Sequence, residues 1–137
     1  MAGYLLDTNV ISETRRVKAN PKVTAFITSA SENELFVSAL TVGELWKGVA
    51  LKRRTDRLAG DQLAGWVQGI ETLFANQVLP LDAAVARIWG ELCAAKSLPV
   101  IDAAIAATAS AHGLTLVTRN TKDFAAANVP ILNPWQI

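Results

Sequence analysis

Three carboxylates and one amide stand where strands of a sheet would end. Asp7 follows the apolar run YLL, Glu44 lies in TVGEL, and Asp102 lies in PVIDAA. Asn120 comes shortly after the run TLVT. If the apolar runs are parallel strands, these side chains meet at one edge of the sheet, where ligands of α/β proteins bind. Carboxylates gathered there repel one another unless a cation binds between them. Oxygen ligands suit Mg²⁺ or Mn²⁺, so the sequence predicts a metal site containing Asp7, Glu44 and Asp102.

Each acidic residue also has a purely structural explanation. Asp7 would cap the helix that follows it, and Thr41 with Glu44 matches a capping box. Asp102 is favoured by the dipole of the helix that it opens. Asp123 would either cap the short DFAAA helix or add weaker charge to the metal site. We favour metal binding over capping for Asp7, because the carboxylates as a set require a counter-charge.

Metal ions held by carboxylates at a sheet edge serve phosphate chemistry in many enzymes. Other chemistries find little support, since glycine-rich phosphate loops do not occur in the sequence. One cysteine, Cys93, and one histidine, His112, cannot make an ordinary zinc site. His112 is expected to end a helix before Gly113, and Cys93 to be a small core residue in a reducing compartment. Phosphatase chemistry with Asp7 as nucleophile is disfavoured, because Asn9 stands where a second Asp is expected.

The elements that must position these residues alternate between short apolar strands and longer helices. Strands are expected at 4–6, 34–39, 78–81, 115–118 and 130–132. Helices are expected at 8–15, 20–30, 41–54, 56–74, 82–96 and 99–112. Such alternation predicts an α/β fold whose mostly parallel central sheet is covered by helices on both faces.

The composition is that of one globular domain over residues 1–137, with 51% hydrophobic and 18% charged residues. The net charge is +1, so binding of nucleic acid would depend on local clusters of basic side chains. No apolar run approaches the roughly 20 residues of a membrane span. Asp7 interrupts the only candidate for a signal peptide, so a cytoplasmic location is expected.

Basic and hydroxyl side chains close to the acidic residues are candidates for contacts with phosphate. Lys47 and Arg54 fall on the same helix face as Glu44. The complete set of candidates is Thr8, Lys47, Arg54, Thr118 and Arg119. Core or dimer contacts, rather than base stacking, are expected for the four tryptophans, which are Trp46, Trp66, Trp89 and Trp135.

Four stretches, in this order along the chain, together resemble PIN-domain ribonucleases: LLDTNVIS, TVGEL, IDAAIAATA, and LVTRNTKDF followed by NPW. The resemblance is strongest to the VapC toxins of bacterial type II toxin–antitoxin systems, including the FitB-like branch. It implies a PIN-like α/β/α sandwich and Mg²⁺- or Mn²⁺-dependent endoribonuclease activity through metal-activated water. It also implies a homodimer, a VapB-like antitoxin that forms a larger hetero-oligomer with it, and contact with DNA only through that antitoxin.

The resemblance implies catalytic and metal-binding roles for Asp7, Glu44 and Asp102. Asn120 falls at a fourth position that is frequently Asp in the family. An amide offers a carbonyl oxygen but no charge, which would weaken a second metal site or leave a single ion bound. The alternative is a catalytically weak PIN protein that acts with its antitoxin as a DNA-bound regulatory complex.

Overall fold

A computed structural model describes residues 3–137, which form a five-stranded sheet with seven α-helices. The strands are β1 (Tyr4–Leu6), β2 (Leu35–Ser38), β3 (Val78–Leu79), β4 (Thr115–Val117) and β5 (Ile131–Leu132). The helices are α1 (Thr8–Arg15), α2 (Pro21–Ser29), α3 (Ala39–Thr55), α4 (Arg57–Leu73), α5 (Ala83–Ala95), α6 (Val100–Ala111) and α7 (Thr121–Phe124). Within this range, no helix combines the length and the apolar character needed to cross a membrane.

All the strand pairs are parallel, and the strands lie in the order β3-β2-β1-β4-β5. The first strand is therefore central. Strands β2 and β3 lie on one side of β1, and β4 and β5 lie on the other. This reversal of strand order makes the carboxyl end of β1 a topological switch point, where a crevice opens above the sheet. The prediction of a parallel α/β/α sandwich is confirmed.

Helices on the two faces of the sheet enclose two separate cores. Leu6 and Val117 point towards a core shared with α1 to α4, whereas Leu5 and Leu116 point towards one shared with α6 and α7. Successive strand residues face opposite sides, so fully buried strands read as continuous apolar runs. This explains why such short runs were recognisable in the sequence.

The start of α3 differs from the prediction. Ser38, the last residue of β2, caps the helix with its hydroxyl, which accepts the backbone N–H of Leu40 at 3.1 Å. Thr41 is a buried residue within the first turn and not the cap. The capping-box explanation of Thr41 and Glu44 is therefore wrong, because the strand passes directly into the helix.

An antiparallel hairpin of α3 and α4 turns at Asp56. The carboxylate of Asp56 accepts the N–H of Ala59 at 3.0 Å and so caps α4, as predicted. Gly60, one turn into α4, is buried against the backbone of Arg53. A side chain on residue 60 would separate the two helices, so the close approach depends on glycine.

Helix α5 is apolar yet poorly covered. Only Val85 is buried on this helix, although Trp89 holds it to α6 by donating its ring N–H to the carbonyl of Val100 at 3.2 Å. Cys93 is half-buried and belongs to neither core, so its prediction as a core residue is wrong. The outer side of α5 therefore exposes alanine side chains, beside the exposed Val100 and Ile101 at the start of α6.

The remaining boundaries follow local chemistry. His112 is the C-cap of α6 and Gly113 follows with φ 63°, which confirms the predicted helix end. Strand β3 is two residues long rather than four, because Pro80 has no N–H to continue the pairing. Strand β4 ends at Val117 and β5 begins at Ile131, each one residue short of the prediction.

Candidate metal and nucleic-acid site

Asp7 is the most constrained side chain at the carboxyl edge of the sheet. It follows β1 and is only 5% exposed. Its Oδ1 accepts the backbone N–H of Thr8 at 2.8 Å, and its Oδ2 accepts the hydroxyl of Thr118 at 2.8 Å and the amide N–H of Asn9 at 3.2 Å. Asp7 is thus the N-cap of α1, and the part of our hypothesis that excluded a cap is wrong.

Capping does not neutralise Asp7. Burial raises the pKa of its carboxyl above the ordinary value of 3.8, the hydrogen bonds from Thr118 and Thr8 act in the opposite direction, and the charge of Glu44 raises the pKa further. The overall result is a raised pKa. The ionised carboxylate is therefore held in place by hydrogen bonds but lacks a compensating charge.

Glu44 projects from the first half of α3 and is exposed. The hydroxyl of Thr8 donates to Glu44 Oε1 and lies 3.1 Å from the hydroxyl of Thr41. These contacts fasten the start of α1 to α3 and fix the distance between Asp7 and Glu44. They also occupy the Thr8 hydroxyl within the protein.

Asp102 reaches the same edge from the first turn of α6 and is half-buried. Burial is the largest cause of its raised pKa, followed by the charges of Asp7, Asp123 and Glu44. Four carboxylates from four parts of the chain thus share one electrostatic field. Across residues 3–137, none of the four forms an ion pair with a lysine, arginine or histidine.

The donor set fits a hard divalent cation that keeps part of its water shell. Among the described residues, no three Asp, Glu, His or Cys side chains are already arranged as a closed metal cage. Mg²⁺ needs no closed cage, because it binds through one or two carboxylates together with waters. An open group of carboxylates that interact electrostatically is therefore a suitable site for it. The buried, unneutralised Asp7 is the observation that indicates a cation.

The loop after β4 closes the edge of the site. Thr118 is fully buried; besides donating to Asp7, its hydroxyl accepts the N–H of Asn120 at 3.0 Å. Thr118 therefore has no free hydroxyl for RNA, contrary to our expectation. Asn120 is exposed and makes no side-chain cap contact with α7. Asp123 lies inside α7, so its predicted capping role is wrong.

Three polar residues near the site were not among the predicted site residues. The amide of Asn9 bridges Asp7 and Thr118, and its carbonyl oxygen accepts the N–H of Arg119 at 3.4 Å. Thr41 contacts Thr8 as described above. Glu13 is 6% exposed and accepts the N–H of Asn20 at 2.8 Å, which lowers its pKa. The only feature of the sequence that could have indicated a buried role for Glu13 is its position on the inner side of an amphipathic helix.

The predicted basic residues do not all reach the acidic edge. Lys47 lines a cavity together with Thr8 and Glu44. Arg54 lies ten residues beyond Glu44 on α3, or about 15 Å along the helix axis, and is remote from the carboxylates. The guanidinium of Arg119 lies 5.1 Å from the ring centroid of Trp135.

Two concave surfaces of contrasting chemistry adjoin the carboxylates. The apolar groove, defined by Leu45, Gly48, Leu63, Trp66, Arg15 and Arg16, has a volume of about 320 Å³ and reaches Thr8 and Glu44. The polar cavity, defined by Arg119, Lys122, Asn20, Asn133, Gln136 and Trp135, has a volume of about 650 Å³ and is also lined by Asn120 and Asp123.

Known proteins are similar to this chain in sequence and in fold over almost its whole length. The toxin FitB of Neisseria gonorrhoeae is 41% identical over 138 residues, covering 96% of this chain and 97% of the relative. A VapC ribonuclease of Sinorhizobium fredii, Y4jK, is 39% identical with the same coverage of both chains. The crystal structure of FitAcB from N. gonorrhoeae superposes with a TM-score of 0.90 at 40% identity, covering 98% of this chain and 99% of the other.

A structure of FitAB bound to an IR36 DNA fragment superposes with a TM-score of 0.82 at 38% identity and covers 98% of this chain and 96% of the other. The family model of the PIN domain matches residues 4–129. This range includes every carboxylate described above, and the sequence resemblance to FitB and VapC toxins is confirmed. The chain belongs to the PIN-domain family.

Proposed function

We propose that this chain is an endoribonuclease that depends on Mg²⁺ or Mn²⁺ and acts as the toxin of a type II toxin–antitoxin pair. The observation that carries the proposal is the unneutralised cluster of Asp7, Glu44 and Asp102 at the switch point of a PIN fold. The ribonuclease name of the Y4jK relative supports the reaction class. Antitoxin-bound structures of FitB relatives support the biological role.

Asp7, Glu44 and Asp102 would hold the ion, and Asn120 would add a neutral oxygen beside it. A bound divalent ion lowers the pKa of water and neutralises charge on the phosphate being cleaved. Asn9 and Thr118 keep Asp7 in one orientation through its Oδ2 atom. Asp123 adds negative charge to the field without contacting Asp7.

Lys47 would meet phosphate on the α3 side of the site, because it lines a cavity with Thr8 and Glu44. The Thr8 hydroxyl, which bonds Glu44, serves to orient that carboxylate. Arg54 is assigned no role at the cleavage site because of its distance along α3. The RNA contacts are therefore a smaller set than the sequence predicted.

The apolar groove suits a segment of the antitoxin. Its floor of leucine and tryptophan side chains would bury apolar anchors, and it opens towards Glu44, where an inserted Arg or Lys would compete with the metal ion. The larger complex would bind DNA through the antitoxin; the structure of FitAB bound to an IR36 DNA fragment supports DNA binding by such a complex.

The test of the nuclease compares two aspartates that both cap helices. Asp7→Asn should lower Mg²⁺-dependent RNA cleavage at least about 100-fold, because a charged ligand of the ion is lost. Asp56→Asn makes the same chemical change at the cap of α4, where asparagine caps equally well, and should retain full activity. Equal cleavage by Asp7→Asn and wild type would refute the proposed role of Asp7.

Asn120 favours a second candidate, a catalytically weak protein that acts with its antitoxin as a DNA-bound regulatory complex. The same assay separates the two. If Asn120 limits metal binding, Asn120→Asp should increase cleavage at low Mg²⁺ concentration. Absence of cleavage by both wild type and Asn120→Asp, with DNA binding by the antitoxin complex intact, would favour the regulatory function.

A further inference from the structure

The polar cavity is not accounted for by the metal site. It lies between α7 and the C-terminal turn Pro134–Gln136, and Arg119 and Lys122 outnumber Asp123 among its charged lining residues. Its volume of about 650 Å³ falls in the range of small-molecule sites, roughly 300–1,000 Å³. The cavity is contiguous with the acidic cluster through Asp123, whose charge acts on Asp102.

Arg119 is held within this cavity without an ion pair, although its charge acts on Glu13 from a distance. Its backbone N–H donates to Asn9, and its guanidinium rests over the ring of Trp135. The Trp135 ring is itself anchored, because it packs against the core on the α1 side and its backbone N–H donates to Asn133 Oδ1 at 2.9 Å. Across residues 3–137 no carboxylate forms an ion pair with Arg119.

We propose that the polar cavity binds one nucleotide of single-stranded RNA next to the bond that is cleaved. Arg119 and Lys122 receive its phosphate, and the base lies against the stacked Arg119 and Trp135 side chains. The amides of Asn20, Asn133 and Gln136 supply donors and acceptors for the edge of the base. This inference rests on the proposed function and adds to it a binding site for one nucleotide beside the metal site.

The shape and chemistry of the cavity favour this ligand over two others. A paired and stacked base in duplex RNA cannot enter a concave site, whereas an unpaired base can be splayed into it. An apolar peptide segment would find few apolar side chains there; the apolar groove on the α3–α4 side offers them instead.

Fluorescence anisotropy with a short labelled RNA strand, in the non-cleaving Asp7→Asn background, tests the subsite. Arg119→Gln should weaken binding about tenfold and reduce the slope of log K against log salt by about 0.7, as expected for one lost phosphate contact on a single strand. Arg57→Gln, which removes the same charge from the exposed end of the α3–α4 hairpin, should leave both quantities unchanged.

Arg15→Gln removes the other arginine that lies over a tryptophan, 5.9 Å from the centroid of Trp66 in the apolar groove. If Arg15→Gln weakens RNA binding and Arg119→Gln does not, RNA occupies the apolar groove and the proposal is wrong. The same duplex sequence should bind more weakly than the single strand and show no dependence on Arg119. Duplex binding that depends on Arg119 would also overturn the proposal.

A double-mutant cycle distinguishes a positioning role of Trp135 from a general effect on folding. Trp135→Phe should weaken RNA binding when residue 119 is Arg. It should have little further effect when residue 119 is already Gln. Additive losses would show that Trp135 does not act through Arg119. If wild type fails to cleave RNA, the nuclease proposal fails. The nucleotide site fails on separate grounds, which are binding of the single strand that is indifferent to Arg119 or binding of the duplex that depends on it.

Discussion

At the scale of single residues, the site depends on charges that the protein itself leaves unbalanced. Asp7 is hydrogen-bonded through both oxygens, yet its pKa is raised, chiefly because the carboxyl is buried and further because Glu44 lies nearby. Asp102 experiences the same field with fewer hydrogen bonds to stabilise its charge. Such an arrangement lowers the stability of the metal-free protein at neutral pH in favour of binding a cation.

Asp102→Asn should therefore change how stability depends on pH in the absence of metal. Between the unfolded-state pKa, near 3.8, and the raised folded-state pKa, the native protein binds more protons than the unfolded chain. The contribution of Asp102 to the free energy of unfolding thus increases as pH falls through this window. Urea unfolding in EDTA, from about pH 7 to pH 4, should show a smaller acid-side gain for Asp102→Asn than for wild type.

Glu13 acts in the opposite direction, because its lowered pKa gives stability that is lost as pH falls below about its ordinary value of 4.5. This loss is common to wild type and Asp102→Asn, so the difference between the two curves isolates Asp102. Parallel curves would mean that the pKa of Asp102 is not raised in the folded protein.

At the scale of secondary-structure elements, the sequence predicted the existence of each helix and strand more accurately than the residue at which it begins. The apolar runs and the Asn20-Pro21 and Asp56 signals located strands and helices within a few residues. Thr41 was mistaken for a cap because β2 passes into α3 without a loop, and Ser38 serves both elements. The bond from Thr118 to Asp7 joins residues 111 positions apart, and no local pattern could have specified it.

The packing of α3 against α4 can be tested by substituting two glycines of α4, one at the contact with α3 and one away from it. In Gly60→Ala, the added methyl would lie 2.9 Å from the backbone N and Cα of Arg53, so the helices must separate. Overpacking of this kind costs about 1–3 kcal/mol. Gly65→Ala lies on the same helix with nothing within 4 Å of the new methyl, and should gain up to about 1 kcal/mol from helix propensity.

Urea or thermal unfolding of the two variants measures both effects. We expect Gly60→Ala to unfold at lower denaturant concentration than wild type and Gly65→Ala at higher. A stabilised Gly60→Ala would mean that the hairpin opens without penalty at this contact.

At the scale of the whole molecule, the sandwich is covered unevenly. Residues of α5 and the start of α6 leave apolar side chains exposed, among them Val100 at 62% and Ile101 at 39%. Leu51 and Ile101 also line the cavity that contains Glu44. This apolar surface therefore continues into the rim of the acidic site, which favours a second copy of the chain as the group that covers it.

We expect a homodimer in solution and predict that Val100→Lys converts it to a monomer, since a lysine at this position would be desolvated in the interface. Leu58→Lys is the control: Leu58 is 70% exposed at the opposite end of the α3–α4 hairpin and should remain compatible with the dimer. Light scattering at micromolar concentration reports the mass of each variant. A monomeric wild type would exclude this interface.

The long-range hydrogen bond between Thr118 and Asp7 affects when the site is completed during synthesis of the chain. A ribosome releases Asp7 early and Thr118 only 111 residues later, which takes roughly 6–22 s at bacterial rates of synthesis. Until then the central strand lacks its neighbour β4, and the carboxylate of Asp7 lacks the hydroxyl that orients it. If the chain is the toxin that we propose, we expect its site to be complete only as the last strands emerge from the ribosome.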